Sequence, residues 1–327
     1  MQALVTGATG FVGSHVAEHL LRRGYAVRCL TRASSSLRWL EQLDVRRVEG
    51  SLSDAESLRP AVRDVDLIIH CAGLTAARDE AEFMRGNRDG TRNLLDAVRR
   101  ENPPLKRFLH VSSMAVAGPA VALDQPRRED MPNHPITTYG RSKKAAEDVV
   151  AATADIPWTI VRPPAVYGPR DTAILSFFQT VNKGLVPLIG FEEKYVSLVY
   201  VDDLARGIID AAESDNTRGR TYYVSSDEFY TWPQIGKVTA AALGRDSFRT
   251  LRLPHPLVKT IAGISGFFGR FAKKPPVLDF EKGRDIVQTY WICSTEQARQ
   301  DFGYTQQWSL EDGIAATAKF YRDAGWL

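Results

Sequence analysis

The chain has 327 residues, of which 44% are hydrophobic and 25% are charged, the balance of a globular protein with a sizeable core. A formal net charge of +3 excludes the strongly basic footprint of a nucleic-acid-binding protein. The three cysteines have no C-x-x-C spacing, so neither a disulfide framework nor a zinc site is indicated. Because the opening residues lack the pattern of a signal peptide, we expect a cytoplasmic protein.

The first predicted strand runs directly into "TGATGFVG" and an amphipathic stretch. Gly7, Gly10 and Gly13 form a G-x-x-G-x-x-G turn. Gly7 permits the tight turn, Gly10 lets the backbone approach a pyrophosphate, and Gly13 lets the helix pack against the strand. Since the motif lies between a strand and a helix N-terminus, the sequence predicts a nucleotide-binding turn rather than a purely structural one.

Apolar runs and amphipathic stretches then alternate along the first two-thirds of the chain. This alternation predicts an α/β fold, a Rossmann-type doubly wound parallel sheet covered by helices. We expect Gly24 to end the first helix, and Ser53 with Glu56 to form a capping box at the second. The six predicted strands are "QALVTG", "AVRCLT", "VRRVEG", "DLIIHCAG", "RFLHVSS" and "WTIVRP".

The second predicted strand ends in "CLTRASSS", where an NAD-binding site places a carboxylate on the ribose 2′-hydroxyl. No carboxylate stands there. Arg32, backed by Ser34, Ser35 and Ser36, can instead accept a 2′-phosphate through charge-assisted hydrogen bonds. The sequence therefore favours NADP(H) and leaves NAD(H) possible; the alternative is that Arg32 is merely solvated.

The stretch "TTYGRSKKAAED" places Tyr139 and Lys143 four residues apart at the start of a predicted helix. Residues at this spacing share one helix face, so both can point into one cleft. At roughly 5 Å and an effective dielectric of about 20, the ammonium would stabilise the phenolate by about 3 kcal/mol. The pattern thus indicates a proton-transfer pair. The alternative is a half-exposed aromatic beside a solvated lysine.

Six motifs in order, "TGATGFVG", "HCAG", "NRDGTRNLL", "VSSMAVAG", "YGRSK" and "RPPAVYGPRD", resemble those of the extended short-chain dehydrogenase/reductase superfamily. Its members are NAD(P)-dependent epimerases, dehydratases and reductases, including 3β-hydroxysteroid dehydrogenase and dihydroflavonol reductase types. The resemblance implies that Ser113, Tyr139 and Lys143 form the catalytic set. Tyr139 would exchange a proton with the substrate oxygen, Ser113 would hold that oxygen, and Lys143 would lower the tyrosine pKa and bind the nicotinamide ribose.

The resemblance also implies a dinucleotide site and a role for Asn87 in steadying the central strands. The residues predicted to bind the cofactor are Gly7, Gly10, Phe11, Val12, Gly13, Arg32, Leu52, Ala72, Gly73, Asn87, Tyr139, Lys143, Pro163 and Val166.

Two departures from the superfamily pattern narrow the chemistry. Met114 and Ala115 follow Ser113 where dehydratases place acidic residues. Pro163 and Ala165 lie in the strand where nucleotide-sugar enzymes usually carry an asparagine. We therefore expect an NAD(P)-dependent oxidoreductase that transfers a hydride to or from a ketone or secondary alcohol of a small apolar or amphiphilic substrate. The alternatives are a nucleotide-sugar 4-epimerase with tightly bound NAD and a non-catalytic dinucleotide-binding protein.

The pattern loosens after about residue 165. We expect a dinucleotide-binding domain over 1–163, to which 194–225 returns, and a smaller, mainly helical substrate lobe over 164–193 and 226–327. The segment 255–274 is apolar over too short a stretch to span a membrane. It is either a core-facing helix of the lobe or a peripheral membrane contact.

Other potential partners and ligands are few. His70 and His110 lie in apolar strands with no partner at metal spacing, so we interpret both as satisfied core histidines and predict no metal site. No nucleic-acid partner is expected. The resemblance implies a homodimer formed by helices of the dinucleotide-binding domain.

Overall fold

The computed structural model describes residues 1–256, 260 and 280–327. A π-helical turn, Met84–Asp89, joins the third and fourth helices. The strands are β1 (Gln2–Thr6), β2 (Ala26–Thr31), β3 (Val45–Glu49), β4 (Leu67–His70), β5 (Arg107–Val111), β6 (Trp158–Arg162), β7 (Ala165–Tyr167), β8 (Leu185–Ile189), β9 (Tyr195–Tyr200), β10 (Arg220–Tyr223), β11 (Phe229–Thr231), β12 (Arg249–Leu253) and β13 (Tyr290–Trp291). The helices are α1 (Phe11–Arg22), α2 (Ala55–Val62), α3 (Glu80–Phe83), α4 (Gly90–Glu101), α5 (Thr138–Ala151), α6 (Leu175–Asn182), α7 (Val201–Glu213), α8 (Trp232–Ala242), α9 (Phe280–Ile286), α10 (Glu296–Phe302) and α11 (Leu310–Asp323).

Seven parallel strands form the main sheet, in the order β10-β6-β5-β4-β1-β2-β3. All six predicted strands lie in it, and β10 adds a seventh beside β6. Strands β4 and β5 are buried along their whole length, as expected of central parallel strands that are covered on both faces. The Rossmann-type prediction is confirmed. The strand order reverses between β1 and β4, which is where such sheets bind ligands at the carboxyl ends of their strands.

Helices cover both faces of this sheet. Leu20 of α1 and Ile208 of α7 belong to the apolar cluster on one face, and Leu58 of α2, Leu94 of α4 and Val150 of α5 to the cluster on the other. One crossover differs from the expected alternation. The connection between β2 and β3, described throughout, consists of turns without a helix.

The two predicted helix ends had different outcomes. Gly24 follows α1 with φ +79°, the left-handed conformation that glycine adopts without strain, so that prediction is confirmed. The predicted capping box of Ser53 and Glu56 is wrong. Helix α2 begins one residue later than expected, and the Asp54 side chain caps it by accepting a hydrogen bond from the Ser57 amide at 3.4 Å.

A second group of elements forms the smaller lobe. Strand β9 pairs with β7, β11 and β13, and β8 pairs with β12. Within the range 194–225 that was predicted to return to the first domain, β10 joins the main sheet and α7 packs on it, whereas β9 pairs within the lobe. Among the described residues no helix is both long and apolar enough to cross a membrane. The predicted amphipathic segment 255–274 lies almost wholly outside the described residues.

Candidate active site

A cleft of about 530 Å³ opens at the carboxyl ends of β1, β2 and β4, beside the glycine turn. Its position is the switch point of the sheet. Ser35, which was predicted to support Arg32, also lines this cleft, and sequence reasoning missed Arg85, which lines it too. The predicted cofactor residues that line it are Gly7, Gly10, Arg32, Leu52, Ala72 and Gly73.

The glycine turn has no room for side chains. Gly7 has φ +74°, and a Cβ there would lie 2.7 Å from the Ala72 amide nitrogen. A Cβ on Gly13 would lie 2.3 Å from the Gly7 carbonyl oxygen, and one on Gly10 would lie 3.3 Å from the same atom. Helix α1 begins just after Gly10 and directs its amide groups toward the cleft. This cradle fits the pyrophosphate of a dinucleotide.

Eight other residues predicted to bind the cofactor do not line the cleft as the described residues define it; Gly13, Asn87, Tyr139 and Lys143 belong to the neighbouring elements, and the remaining four lie as follows. Phe11 and Val12 form the first turn of α1. Pro163 follows β6, and its carbonyl accepts a hydrogen bond from the Met114 amide at 2.8 Å. Val166 lies in β7 and packs against the core beside α1. Their contacts with a cofactor stay predictions.

The first two residues of the predicted catalytic set come together at the start of α5. Thr137 caps this helix by accepting from the Gly140 amide at 3.1 Å. A Cβ on Gly140 would lie 2.5 Å from the Ala115 carbonyl oxygen, so glycine lets α5 begin directly against the turn after β5. Ser113 opens that turn by accepting from the Ala115 amide at 3.2 Å, and a side-chain hydrogen bond joins it to Tyr139. The glycine in "YGRSK" was the available signal for this close packing.

Asn87 supports this arrangement from the π-helical turn. Its side chain exchanges hydrogen bonds with the Leu74 amide (2.6 Å) and carbonyl (3.1 Å), and its Nδ2 donates to Ser142 Oγ at 2.8 Å. Ser142 in turn donates to the Tyr139 carbonyl at 2.8 Å. The expectation that Asn87 steadies the central strands is wrong, because its side chain ties the loop after β4 to α5. Its contact with a cofactor stays a prediction.

The Lys143 side chain is buried between α5, to which it belongs, and β5. Its Nζ donates to the Val111 carbonyl at 2.9 Å and lies 3.4 Å from His110 Nε2. Burial lowers the pKa of Lys143 to about 8, and the carboxylate of Glu147, one turn along the helix, opposes that shift. Glu147 itself forms a buried, two-pronged ion pair with Arg162 at 2.9 and 2.6 Å.

The pKa of Tyr139 differs from the expectation. Burial raises it above its ordinary value, the hydrogen bond with Ser113 opposes this, and the carboxylate of Asp285 raises it further. Lys143 directs its ammonium to β5, so the predicted lowering of the tyrosine pKa by Lys143 is wrong in this structure. The nearby Asp285 comes from α9 and lies in no recognisable motif, so the sequence carried no signal for it.

The two core histidines, His70 and His110, differ in how completely their ring nitrogens are hydrogen-bonded. His70 is satisfied as predicted, because its Nδ1 lies 2.7 Å from Thr6 Oγ1 and its Nε2 lies 2.9 Å from Thr91 Oγ1. For His110 the prediction is wrong, since its buried Nδ1 has no hydrogen-bond partner among the described residues. Across the described ranges no three histidine, cysteine or acidic side chains are grouped so as to hold a metal ion.

The fold, the glycine cradle and the adjacent hydroxyl pair define an enzyme of the oxidoreductase and epimerase class that uses a nicotinamide dinucleotide and acts on small molecules. The chain belongs to the NAD dependent epimerase/dehydratase family, whose model matches residues 3–235.

Comparison with known proteins extends this result. The chain is 31% identical to the ceramide reductase of Caulobacter vibrioides over 323 residues, covering 99% of this chain and 95% of that protein. It is 36% identical to sterol demethylase protein B of Methylococcus capsulatus over 344 residues, covering 100% of both. A solved dTDP-glucose 4,6-dehydratase of Streptomyces venezuelae, with NAD bound, is 26% identical, with a TM-score of 0.80 over 100% of this chain and 98% of the other.

Proposed function

We propose that the protein is a reductase or dehydrogenase that prefers NADP(H) and acts on a ketone or secondary alcohol of an apolar or amphiphilic molecule. The observation that carries this proposal is the hydrogen-bonded pair of Ser113 and Tyr139. The Tyr139 ring lies 6.0 Å from that of Phe83, whose neighbour Glu82 lines the dinucleotide cleft. A bound nicotinamide supplies or accepts the hydride. Tyr139 would exchange the proton at the substrate oxygen, and Ser113 would donate a hydrogen bond to that oxygen.

Lys143 has a donor available for the cofactor. A lysine ammonium carries three N–H donors, and two of them are directed to Val111 and His110. The third would bind a ribose hydroxyl. Asn87 and Ser142 would hold the start of α5 in place during the reaction, because both are bonded to the backbone or side chains around Tyr139.

The departures in sequence and the names of two relatives support the proposed substrate class. Met114 and Pro163 lack the acidic and amide groups with which relatives handle nucleotide sugars. Two full-length relatives are named for ceramide and sterol, both largely apolar molecules. We therefore propose a lipid-like carbonyl compound or alcohol as the substrate.

The preference for NADP(H) rests on the end of β2. Arg32 is exposed there and lines the cleft together with Ser35, whose Oγ accepts from the Arg32 amide at 3.3 Å. An exposed guanidinium in this position would bind a 2′-phosphate, whereas an NAD site needs an acceptor for the ribose 2′-hydroxyl.

The deciding experiment measures the dinucleotide released by acid from freshly purified protein, followed by NADPH and NADH titrations of the emptied site. We expect little retained cofactor, and tighter binding of NADPH. Arg32→Ala should weaken NADPH binding about tenfold or more, since a charge-assisted pair is lost, and leave NADH unchanged. Arg47→Ala, which removes an exposed arginine from β3, is the matched control. Equal loss in both variants would contradict the role of Arg32.

A second candidate is a nucleotide-sugar epimerase, favoured by the structural similarity to the dTDP-glucose dehydratase. Such an enzyme would retain NAD through oxidation and re-reduction. Near-stoichiometric NAD in the acid extract would support it and would count against the NADP(H) proposal.

We also propose that the protein forms a homodimer through α4 and α5. The outward side chains of these helices are mostly charged, among them Arg92, Asp96, Arg99, Lys144 and Asp148. A contact between such faces would be screened by salt. Light scattering should therefore give a dimer mass at low ionic strength and a falling mass at 0.5 M salt; a monomer at both would contradict the proposal.

Peripheral membrane contact through 255–274 is proposed from sequence alone. The segment combines apolar residues with Lys259, Arg270, Lys273 and Lys274. Flotation with anionic vesicles should recover more protein than flotation with neutral vesicles. Neutralising the basic residues should abolish that difference.

A further inference from the structure

A histidine occupies the layer between the main sheet and α5. Strand β5 lies between β4 and β6, and His110 is wholly buried within it. Because side chains alternate along a strand, His110 faces the same side as Phe108. Phe108 packs there in an apolar cluster with Val150 of α5. The imidazole therefore lies on the same side of the sheet as this apolar cluster, at the point where Lys143 reaches β5.

The neighbouring His70 does not compete for this lysine. Thr91 donates its hydroxyl hydrogen to the Asn87 carbonyl at 2.7 Å, so its oxygen accepts from His70 Nε2. Thr6 then donates to His70 Nδ1. Both ring nitrogens of His70 are thus engaged, although its ring lies 5.2 Å from that of His110.

His110 is bonded in a different way. A lysine ammonium can only donate, so His110 Nε2 is the acceptor of the 3.4 Å contact with Lys143. The ring proton is then on Nδ1, which has no partner among the described residues. An orphaned donor in a buried layer is unfavourable, and an apolar ring such as that of Phe108 would suit the layer better. Among the described residues, the contact with Lys143 is the only side-chain hydrogen bond of His110 that offsets this cost to folding.

We infer that His110 is a positioning residue for Lys143. Its Nε2 and the Val111 carbonyl together hold the ammonium at the carboxyl end of β5. The remaining N–H is left for the ribose of the dinucleotide, a role that rests on the proposed function.

The other groups around the lysine do not replace this acceptor. Burial keeps the Cys71 thiol and the His70 ring neutral by raising the pKa of the thiol and lowering that of the ring. Glu147 is charged but is engaged by Arg162. Tyr139 lies one turn before the lysine on α5, and its own pKa is raised.

The first test needs neither substrate nor cofactor. In protein labelled with ¹⁵N-histidine and without added dinucleotide, the Nε2 resonance of His110, assigned by its loss in His110→Phe, is followed from pH 6 to 10. We expect a transition near pH 8, where Lys143 loses its proton, and its disappearance in Lys143→Met. A resonance that does not move, or that moves equally in Lys143→Met, overturns the inference. Neither outcome bears on the proposed substrate, so the two failures are distinguishable.

The second test compares His110→Phe with His110→Gln, which retains an acceptor. Without an acceptor the lysine pKa should fall by about one unit, a tenfold change in its protonation equilibrium. In fluorescence titrations, His110→Phe should bind NADPH almost normally at pH 6.5 and about fivefold more weakly near pH 8, where the wild-type lysine is half protonated. His110→Gln should follow the wild type. Equal affinities of wild type and His110→Phe throughout this range overturn the inference.

Discussion

The hydroxyl of Tyr139 is the group on which the proposed chemistry depends most. It is bonded to Ser113, and burial and Asp285 hold its pKa above the ordinary value. The neutral phenol is therefore favoured in the structure, which suits a proton donor in the direction of carbonyl reduction. Binding of a substrate oxygen between the two hydroxyls would place that proton where it is needed.

Tyr139→Phe removes the proton donor and leaves the ring contact with Phe83, whose centroid is 6.0 Å away. We expect the rate of carbonyl reduction to fall by about 10²–10⁴-fold while NADPH affinity is nearly unchanged. Steady-state kinetics and fluorescence titration measure the two quantities. Tyr195→Phe, which removes an exposed hydroxyl bonded to Glu193, is the control. Normal turnover in Tyr139→Phe would contradict the proposed mechanism, because the proton donor would have been removed.

Glu147 has two electrostatic roles. It neutralises the buried Arg162 and also favours the charged form of Lys143. Glu147→Gln leaves the guanidinium without a counter-charge, so we expect a loss of about 3–5 kcal/mol in the free energy of unfolding. Denaturant titration measures it.

The matched control is the double variant Glu147→Gln/Arg162→Met, which removes both charges. Replacing a buried pair by groups of similar volume is often close to neutral, so much of the loss should be recovered. The same large loss in the double variant would mean that Glu147 stabilises the fold by packing rather than by charge.

At the scale of elements, the start of α5 has to meet the turn after β5 closely. Gly140→Ala would place a Cβ 2.5 Å from the Ala115 carbonyl oxygen, a backbone atom that cannot rotate away. The helix start must shift, and the Ser113 to Tyr139 hydrogen bond with it. We expect turnover to fall about 100-fold, since a displacement near 1 Å has an effect of that size.

Gly244→Ala is the control for this prediction. Gly244 ends α8 with φ +70° and has no atom near its Cβ position, so its substitution costs about 1 kcal/mol of backbone strain without moving the site. A Gly140→Ala enzyme as active as Gly244→Ala would show that close packing of α5 does not position Tyr139.

The elements that the sequence predicted are those with strong local signals. The runs "DLIIHCAG" and "RFLHVSS" are buried on both faces and read as parallel strands without further information. The start of α2 was misplaced by one residue because Ser53 and Asp54 are both good caps, and the choice depends on tertiary context. The turns between β2 and β3 were missed because their apolar residues include Trp39, which packs outside the main sheet.

In the candidate site, too, the residues with strong local signals were predicted and those that depend on distant packing were not. The glycine turn, Ser113 and Tyr139 carry spacing that a single sequence displays. The direction of the Lys143 ammonium and the approach of Asp285 depend on how distant segments pack, so no local pattern encodes them. The unpaired nitrogen of His110 is likewise visible only once α5 lies on β5.

Across the whole molecule, Trp39 joins the dinucleotide-binding end of the sheet to the C-terminal helix. It lies in the connection that begins with Arg32, and its ring centroid is 6.0 Å from that of Phe320 in α11. The Arg170 guanidinium lies 5.2 Å from the ring and also donates to Ser14 in α1 at 3.0 Å. Trp39, in the dinucleotide-binding domain, thus contacts two segments of the smaller lobe.

Trp39→Ala should therefore affect stability and cofactor choice together. Loss of a half-buried tryptophan should lower the free energy of unfolding by about 2–3 kcal/mol. The loop that presents Arg32 and Ser35 would lose its anchor, so NADPH affinity should fall several-fold while NADH affinity, which needs no 2′-phosphate contact, stays the same. Thermal unfolding and paired titrations measure the two effects.

Trp232→Ala separates these effects, because Trp232 packs on Phe177 in the smaller lobe, with a centroid distance of 5.8 Å. It should destabilise the protein by a similar amount and leave the NADPH to NADH affinity ratio unchanged. If Trp39→Ala also left that ratio unchanged, the connection after β2 would hold Arg32 without help from the C-terminal helix. A changed ratio in Trp39→Ala alone would mean that the smaller lobe stabilises the part of the cleft that distinguishes the two dinucleotides.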